Sequence, residues 1–115
     1  MVFPFDASTG EELTNASATP NGFYLDLAYS RYLDIRVKRS LLVQQGSNYT
    51  EDVRFNRPAS DGELYTQEGI YTITAANQYT GEQTVKTIYV GNDAQYIDYV
   101  SRGLSVEQIL QALEQ

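Results

Sequence analysis

Six acidic residues fall in short groups: Glu51-Asp52, Asp61-Gly62-Glu63, and Asp93 with Asp98. Neighbouring carboxylates can hold calcium, or divide the acid and nucleophile roles of glycoside hydrolysis. None of these groups matches the twelve-residue calcium loop, and nothing along the chain suggests a cleft that would hold a sugar in register. The sequence has no His and no Cys. The commonest general base and metal ligand are therefore missing, as is any thiolate. Neither a Ser-His-Asp nor a Cys-His site can be assembled from this chain. The expectation is a non-enzyme with no catalytic residues, no metal and no cofactor, its acidic groups lying in solvated loops.

Tyrosine is the other chemistry on offer. There are ten in 115 residues and no Trp. An exposed Tyr presents flat apolar area with a polar tip, suited to protein or sugar, although Tyr is also simply favoured in strands. Tyr24, Tyr32, Tyr79 and Tyr96 form the expected binding surface, if there is one. Lys38 and Lys86 are the only lysines available for the Lys-Asn crosslink of some bacterial surface proteins, and neither has a partner readable from the sequence. Asn15-Ala16-Ser17 and Asn48-Tyr49-Thr50 match the glycan-acceptor triplet, a pattern that arises often by chance.

Charge narrows the partners. Eight basic residues against fifteen acidic give a net charge of -7. Nucleic acid binding needs clustered Lys and Arg, and only Arg31 to Arg39 is locally basic, its charges alternating with apolar residues as on the solvent face of a strand. Anionic membrane surfaces are disfavoured for the same reason. Apolar runs reach only three or four residues, so no segment can span a membrane as a helix. The Met1-Val2-Phe3-Pro4-Phe5 start lacks the basic and apolar regions of a signal peptide. An exported protein would carry its targeting segments outside this sequence.

The elements that must position these groups read mostly as strands. A length of 115 residues is that of one domain. A short edge strand is expected near Val2 to Phe5, where Pro4 suits an edge, followed by a polar loop over residues 6–22. Phe23, Leu25, Leu27 and Tyr29 then alternate with polar residues, as do Leu33, Ile35 and Val37. Leu41 to Val43 continues or restarts a strand, and Gly46-Ser47-Asn48 is a turn. Tyr49, Glu51, Val53 and Phe55 share one face of the next strand, and residues 56–62 form a loop. Tyr71, Ile73 and Ala75 point inward, with Ile70, Thr72 and Thr74 outward. A polar link leads to Thr84 to Val90, where Ile88 and Val90 compete with Val85 and Tyr89 for the core and a bulge would reconcile them. Ser105 and Gln108 form a capping box and Leu104 with Ile109 a hydrophobic staple, so a helix carrying Val106, Ile109, Leu110 and Leu113 closes the chain. About ten residues of helix are marginal alone in water, so this stripe must dock on a surface.

The stretch Gln67-Glu68-Gly69-Ile70-Tyr71-Thr72-Ile73-Thr74-Ala75 resembles the penultimate strand of immunoglobulin-like domains. There a Tyr at the strand corner donates its hydroxyl to backbone a few residues upstream. The resemblance implies that role for Tyr71 and a core place for Ile73, where antibody domains have their second Cys. Thr87-Ile88-Tyr89-Val90-Gly91 resembles the closing strand of bacterial immunoglobulin-like repeats. The likeness covers roughly residues 60–92, and the missing Cys pair and core Trp exclude an antibody-type domain.

The expectation is thus an all-β, immunoglobulin-like sandwich of about seven antiparallel strands over residues 1–92, a linker over 93–104, and an amphipathic helix over 105–115. Its expected core includes Leu25, Leu27, Leu33, Ile35, Val53, Tyr71 and Ile73. The resemblance implies a spacer or accessory domain of a bacterial cell-surface or secreted protein, with neighbouring domains as partners. The alternative is a module that binds glycan or protein through its tyrosines.

Overall fold

A computed structural model describes residues 3–27 and 33–114. Among these residues there are eight strands and two helices: β1 (Phe3–Asp6), β2 (Ser17–Thr19), β3 (Phe23–Asp26), β4 (Leu33–Gln45), β5 (Asn48–Pro58), β6 (Leu64–Tyr65), β7 (Gly69–Asn77), β8 (Gln83–Val90), α1 (Ala94–Ser101) and α2 (Val106–Leu113). The strands form two sheets, one ordered β1-β3-β6 and the other β2-β8-β7-β4-β5. All pairings are antiparallel except β2 with β8, which is parallel.

The core between the sheets follows the alternation in the sequence. Phe23 and Leu25 of β3 meet Ile35 and Val37 of β4, Tyr71, Ile73 and Ala75 of β7, and Ile88 and Val90 of β8, all buried. Leu27 and Leu33 are half-buried against this cluster. Gly22, just before β3, has φ +89°, and a Cβ there would lie 2.6 Å from the Tyr65 carbonyl oxygen, so β3 and its neighbour β6 come together here only because the residue has no side chain.

A second apolar layer lies on the other face of the five-stranded sheet. Ile70 and Tyr89 of the sheet bury against Val100 of α1 and Ile109 of α2, with Leu42, Tyr96, Leu104, Val106 and Leu113 packed around them. This corrects two expectations. Ile70 is not a solvent-facing residue. The competition within β8 is not resolved by a bulge either: the β7–β8 register runs unbroken from Gly69↔Val90 to Ala76↔Gln83. Both faces of β8 are buried at its end, Ile88 and Val90 under the small sheet and Tyr89 under the helices.

The C-terminal helix docks within the chain. Ser105 Oγ accepts from the Gln108 amide while the Gln108 side chain accepts from the Ser105 amide, so the capping box is present. Residues 93–104, expected as a linker, contain α1: the Asp93 carboxylate accepts from the Gln95 amide at 2.9 Å and caps a helix of about two turns carrying Tyr96, Tyr99 and Val100.

Three further departures have local causes. Residues 6–22 contain β2, held to β8 by Asn15, whose Oδ1 accepts from the Thr87 amide at 2.8 Å, and by the Ala16 amide donating to the Thr87 carbonyl at 3.0 Å. β5 runs on to Pro58 as an edge strand. Within it the register jumps, Arg39 facing Phe55 and Ser40 facing Val53. That bulge puts Phe55 against the inter-sheet core but turns Val53 to the opposite face, where it is 46% exposed and not a core residue.

Candidate functional site

The tyrosines expected at a binding surface are dispersed. Tyr24 sits on the outer face of the three-stranded sheet, stacked on Phe5 with ring centroids 5.5 Å apart. Tyr79, 78% exposed, occupies the β7–β8 turn, which Asn77 shapes by accepting from the Tyr79 and Thr80 amides at 2.9 and 3.1 Å. Tyr96 belongs to α1 and packs on Tyr89 at 5.6 Å. Tyr32 lies outside the described residues. Tyr24 and Tyr96 are thus separated by the full thickness of both sheets, and no one patch joins them.

Two residues that the sequence did not single out complete a row around Tyr24. Phe5 pairs with Tyr24, and Tyr24 with Leu64. Directly paired residues share a face, so Phe5, Tyr24 and Leu64 form a band across all three strands, Leu64 being 59% exposed. Alternation gives the outward face of each strand, but only the register shows that the three align.

Tyr71 and Ile73 are both buried in the inter-sheet core. The Tyr71 ring meets Phe23 edge-on at 5.0 Å and Tyr65 at 5.7 Å, and its hydroxyl donates to the Gln67 carbonyl oxygen at 2.7 Å. Burial pushes the hydroxyls of Tyr71 and Tyr65 up to about 12, Glu63 adding to the effect at Tyr65. Tyr89 and Tyr96 are raised for the same reason.

Each acidic group is tied to its surroundings. Glu51 pairs with Lys38 at 3.0 Å and accepts from Ser40 Oγ. Asp52 pairs with Arg54 at 3.1 Å, and Asp98 with Arg102 at 3.1 Å. Asp61 accepts from the Leu27 amide at 2.8 Å, joining the β5–β6 loop to the end of β3. Glu63 pairs with Arg57, whose guanidinium also lies over the Phe55 ring at 4.6 Å. Among the described residues no three His, Cys, Asp or Glu side chains converge to hold a metal ion.

Asp6 is the strongest polar anchor. Its Oδ2 accepts from Thr19 Oγ1 at 2.5 Å, and its Oδ1 accepts from the Ser8 hydroxyl and amide and the Thr9 amide. These bonds, the Thr19 hydroxyl foremost, hold the carboxyl well below the usual range. The anchor joins the end of β1 in one sheet to the end of β2 in the other.

The large sheet also carries an apolar cavity of about 360 Å³ between β4 and α1, lined by Leu42, Gln44, Glu68, Ile70, Tyr89 and Tyr96 among others. Comparison of the chain with protein-family models, curated proteins and solved structures gave no match.

Proposed function

We propose that this chain is a non-catalytic, immunoglobulin-like spacer or accessory domain of a bacterial cell-surface or secreted protein. The observation that carries the reading is the strand order. Immunoglobulin sandwiches place strands C, F and G in one sheet and A, B and E in the other. Here β4, β7 and β8 fall in the first set of places, with β5 added beside β4, and β1, β3 and β6 in the second. The Tyr71–Gln67 bond at the start of β7 supports the same assignment.

The placement of the chain's path supports a spacer. Phe3 pairs with Asp26, at the end of the sheets where β4 begins and β7 finishes. Glu114 lies at the other end, its carboxylate accepting from the Tyr49 amide beside the β4–β5 turn. Segments joined to these two points would be held apart by the length of the sandwich.

A second reading is favoured by the Phe5–Tyr24–Leu64 band: a module that binds glycan or protein on the outer face of the small sheet. A glycan array and a panel of surface polysaccharides separate the two. The spacer reading expects no reproducible signal. A saturable hit that Tyr24→Ala abolishes, with the fold intact by circular dichroism, would replace it with the binding module.

A further inference from the structure

Among the described residues, β4 beyond Ser40 keeps one partner and loses the other. Its pairing with β7 stops at Ser40↔Ile70, while its pairing with β5 continues through Gln45↔Asn48. The reason is the corner at Gln67–Gly69. Had β7 extended backward, Glu68 would face Leu42 and Thr66 would face Gln44; instead the chain crosses to β6 in the other sheet.

The direction of the unpaired groups follows from the turn. Gly46-Ser47 is a two-residue turn with Gly46 at φ +65°, so Gln45 and Asn48 exchange hydrogen bonds. Pairs in an antiparallel ladder alternate between bonded and non-bonded. Val43 therefore bonds to β5, while the amide and carbonyl groups of Leu42 and Gln44 point away from it, to the side β7 has vacated. That side is the 360 Å³ cavity, which runs along Ser40 to Gln44 and has Ile70, Tyr89 and Tyr96 for its apolar wall and Glu68 at one end.

From this juxtaposition we infer that the bare edge of β4 at Leu42 and Gln44 accepts one extended strand of another polypeptide, taking the place next to β4 that β7 leaves. This goes beyond the spacer reading and uses a different face from the Phe5–Tyr24–Leu64 band. The chemistry of the occupant follows from the lining. Its backbone supplies the complementary donors and acceptors. Alternate side chains, facing Leu42, Tyr89 and Tyr96, are apolar. A basic residue suits the Glu68 end, and a net charge of -7 favours a cationic segment over an acidic one. A second copy of this chain fits less well. Its own β5 would come with its β4, one strand spacing further out, where Val90 turns through Gly91 to Asp93 and α1.

The test uses the whole chain and a capped heptapeptide of alternating Thr and Val with Lys at each end, followed by heteronuclear NMR and amide exchange. In the free protein at low concentration the Leu42 and Gln44 amides should exchange fast. Peptide should bind saturably and slow both. The same peptide N-methylated at alternate residues should not bind. Gln44→Pro removes one edge donor without touching the β5 ladder and should weaken binding about tenfold, the equivalent of one hydrogen bond. Glu68→Arg should weaken it as well, with the free-protein spectrum preserved. Slow exchange of the two amides before peptide is added, no saturation, or changes confined to β2 or β5 would overturn the inference. So would slowing that grows with protein concentration in the absence of peptide, which assigns the edge to a second copy.

Discussion

The Tyr71 hydroxyl donates to the carbonyl oxygen of Gln67, 2.7 Å away and four residues upstream. This bond fixes the corner at which the chain passes from the small sheet into β7, and so the point at which β4 loses a neighbour. One contact thus shapes both the sandwich and the groove beside it.

Tyr71→Phe removes the bond and keeps the ring. We expect a loss of about 1 kcal/mol, the usual net worth of one hydrogen bond, seen as a lower denaturant midpoint with an unchanged slope. The alkaline limb should change too. Tyr71 ionises at about 12 in the folded chain, above the ordinary value of 10.0. A raised value contributes stability that is present below the unfolded value and lost as pH rises through the folded one. The loss of stability between pH 10 and 12 should therefore be shallower in Tyr71→Phe than in the parent. Equal slopes in the two proteins would contradict this account of the corner.

Asp6 sets the opposite limb. Its carboxyl is lowered from the ordinary 3.8 by the Thr19 and Ser8 hydroxyls. A lowered value contributes stability that is present above the unfolded value and lost as pH falls toward the folded one. Asp6→Asn should cost its full amount at neutral pH and progressively less below about pH 4, as the parent loses the same advantage. Denaturant titrations of both proteins from pH 7 downward would show their stabilities converging. A difference that stays constant with pH would mean that the Thr19 contact does not depend on charge.

The second apolar layer predicts a contrast between two aliphatic residues. Ile109 is fully buried under α2, whereas Val53 is 46% exposed beyond the bulge. Ile109→Ala should cost roughly 2–5 kcal/mol, and amide protection across residues 105–114 should fall with it. Val53→Thr should stay within about 0.5 kcal/mol. Protection of 105–114 in the parent should not depend on protein concentration, because the helix docks on its own sheet.

Period-two alternation exposed the inter-sheet core: Phe23, Leu25, Ile35, Tyr71 and Ile73 are where the pattern puts them. It failed where a strand is buried on both faces. Ile70 read as outward, and Tyr89 as a rival of Ile88 and Val90 for a single core face, because alternation assumes one wet face, and the helices that cover both residues come later in the chain. α1 did leave a trace, since Tyr96, Tyr99 and Val100 recur at helical spacing after the capping Asp93, but a helix of only eight residues within a polar stretch from Asn92 to Gly103 also suits a link. β2 is three residues long in a polar stretch, and its partner β8 lies some seventy residues away, as Asn15 to Thr87 illustrates. The Phe5–Tyr24–Leu64 band had no local signal, because it exists only through register across three strands. The bare edge of β4 is legible for the same reason only once β7 has been seen to stop at Gly69.

The most direct test of the spacer account is the shape of two copies joined in tandem, the end of one connected by a short link to the start of the next, measured by small-angle X-ray scattering. The Cα atoms of one copy extend 44 Å along the longest axis. With Phe3 and Glu114 at opposite ends of the sheets, the account predicts a tandem whose greatest dimension is close to twice that of the single domain. A tandem scarcely longer than one copy, with the two sandwiches folded side by side, would contradict it.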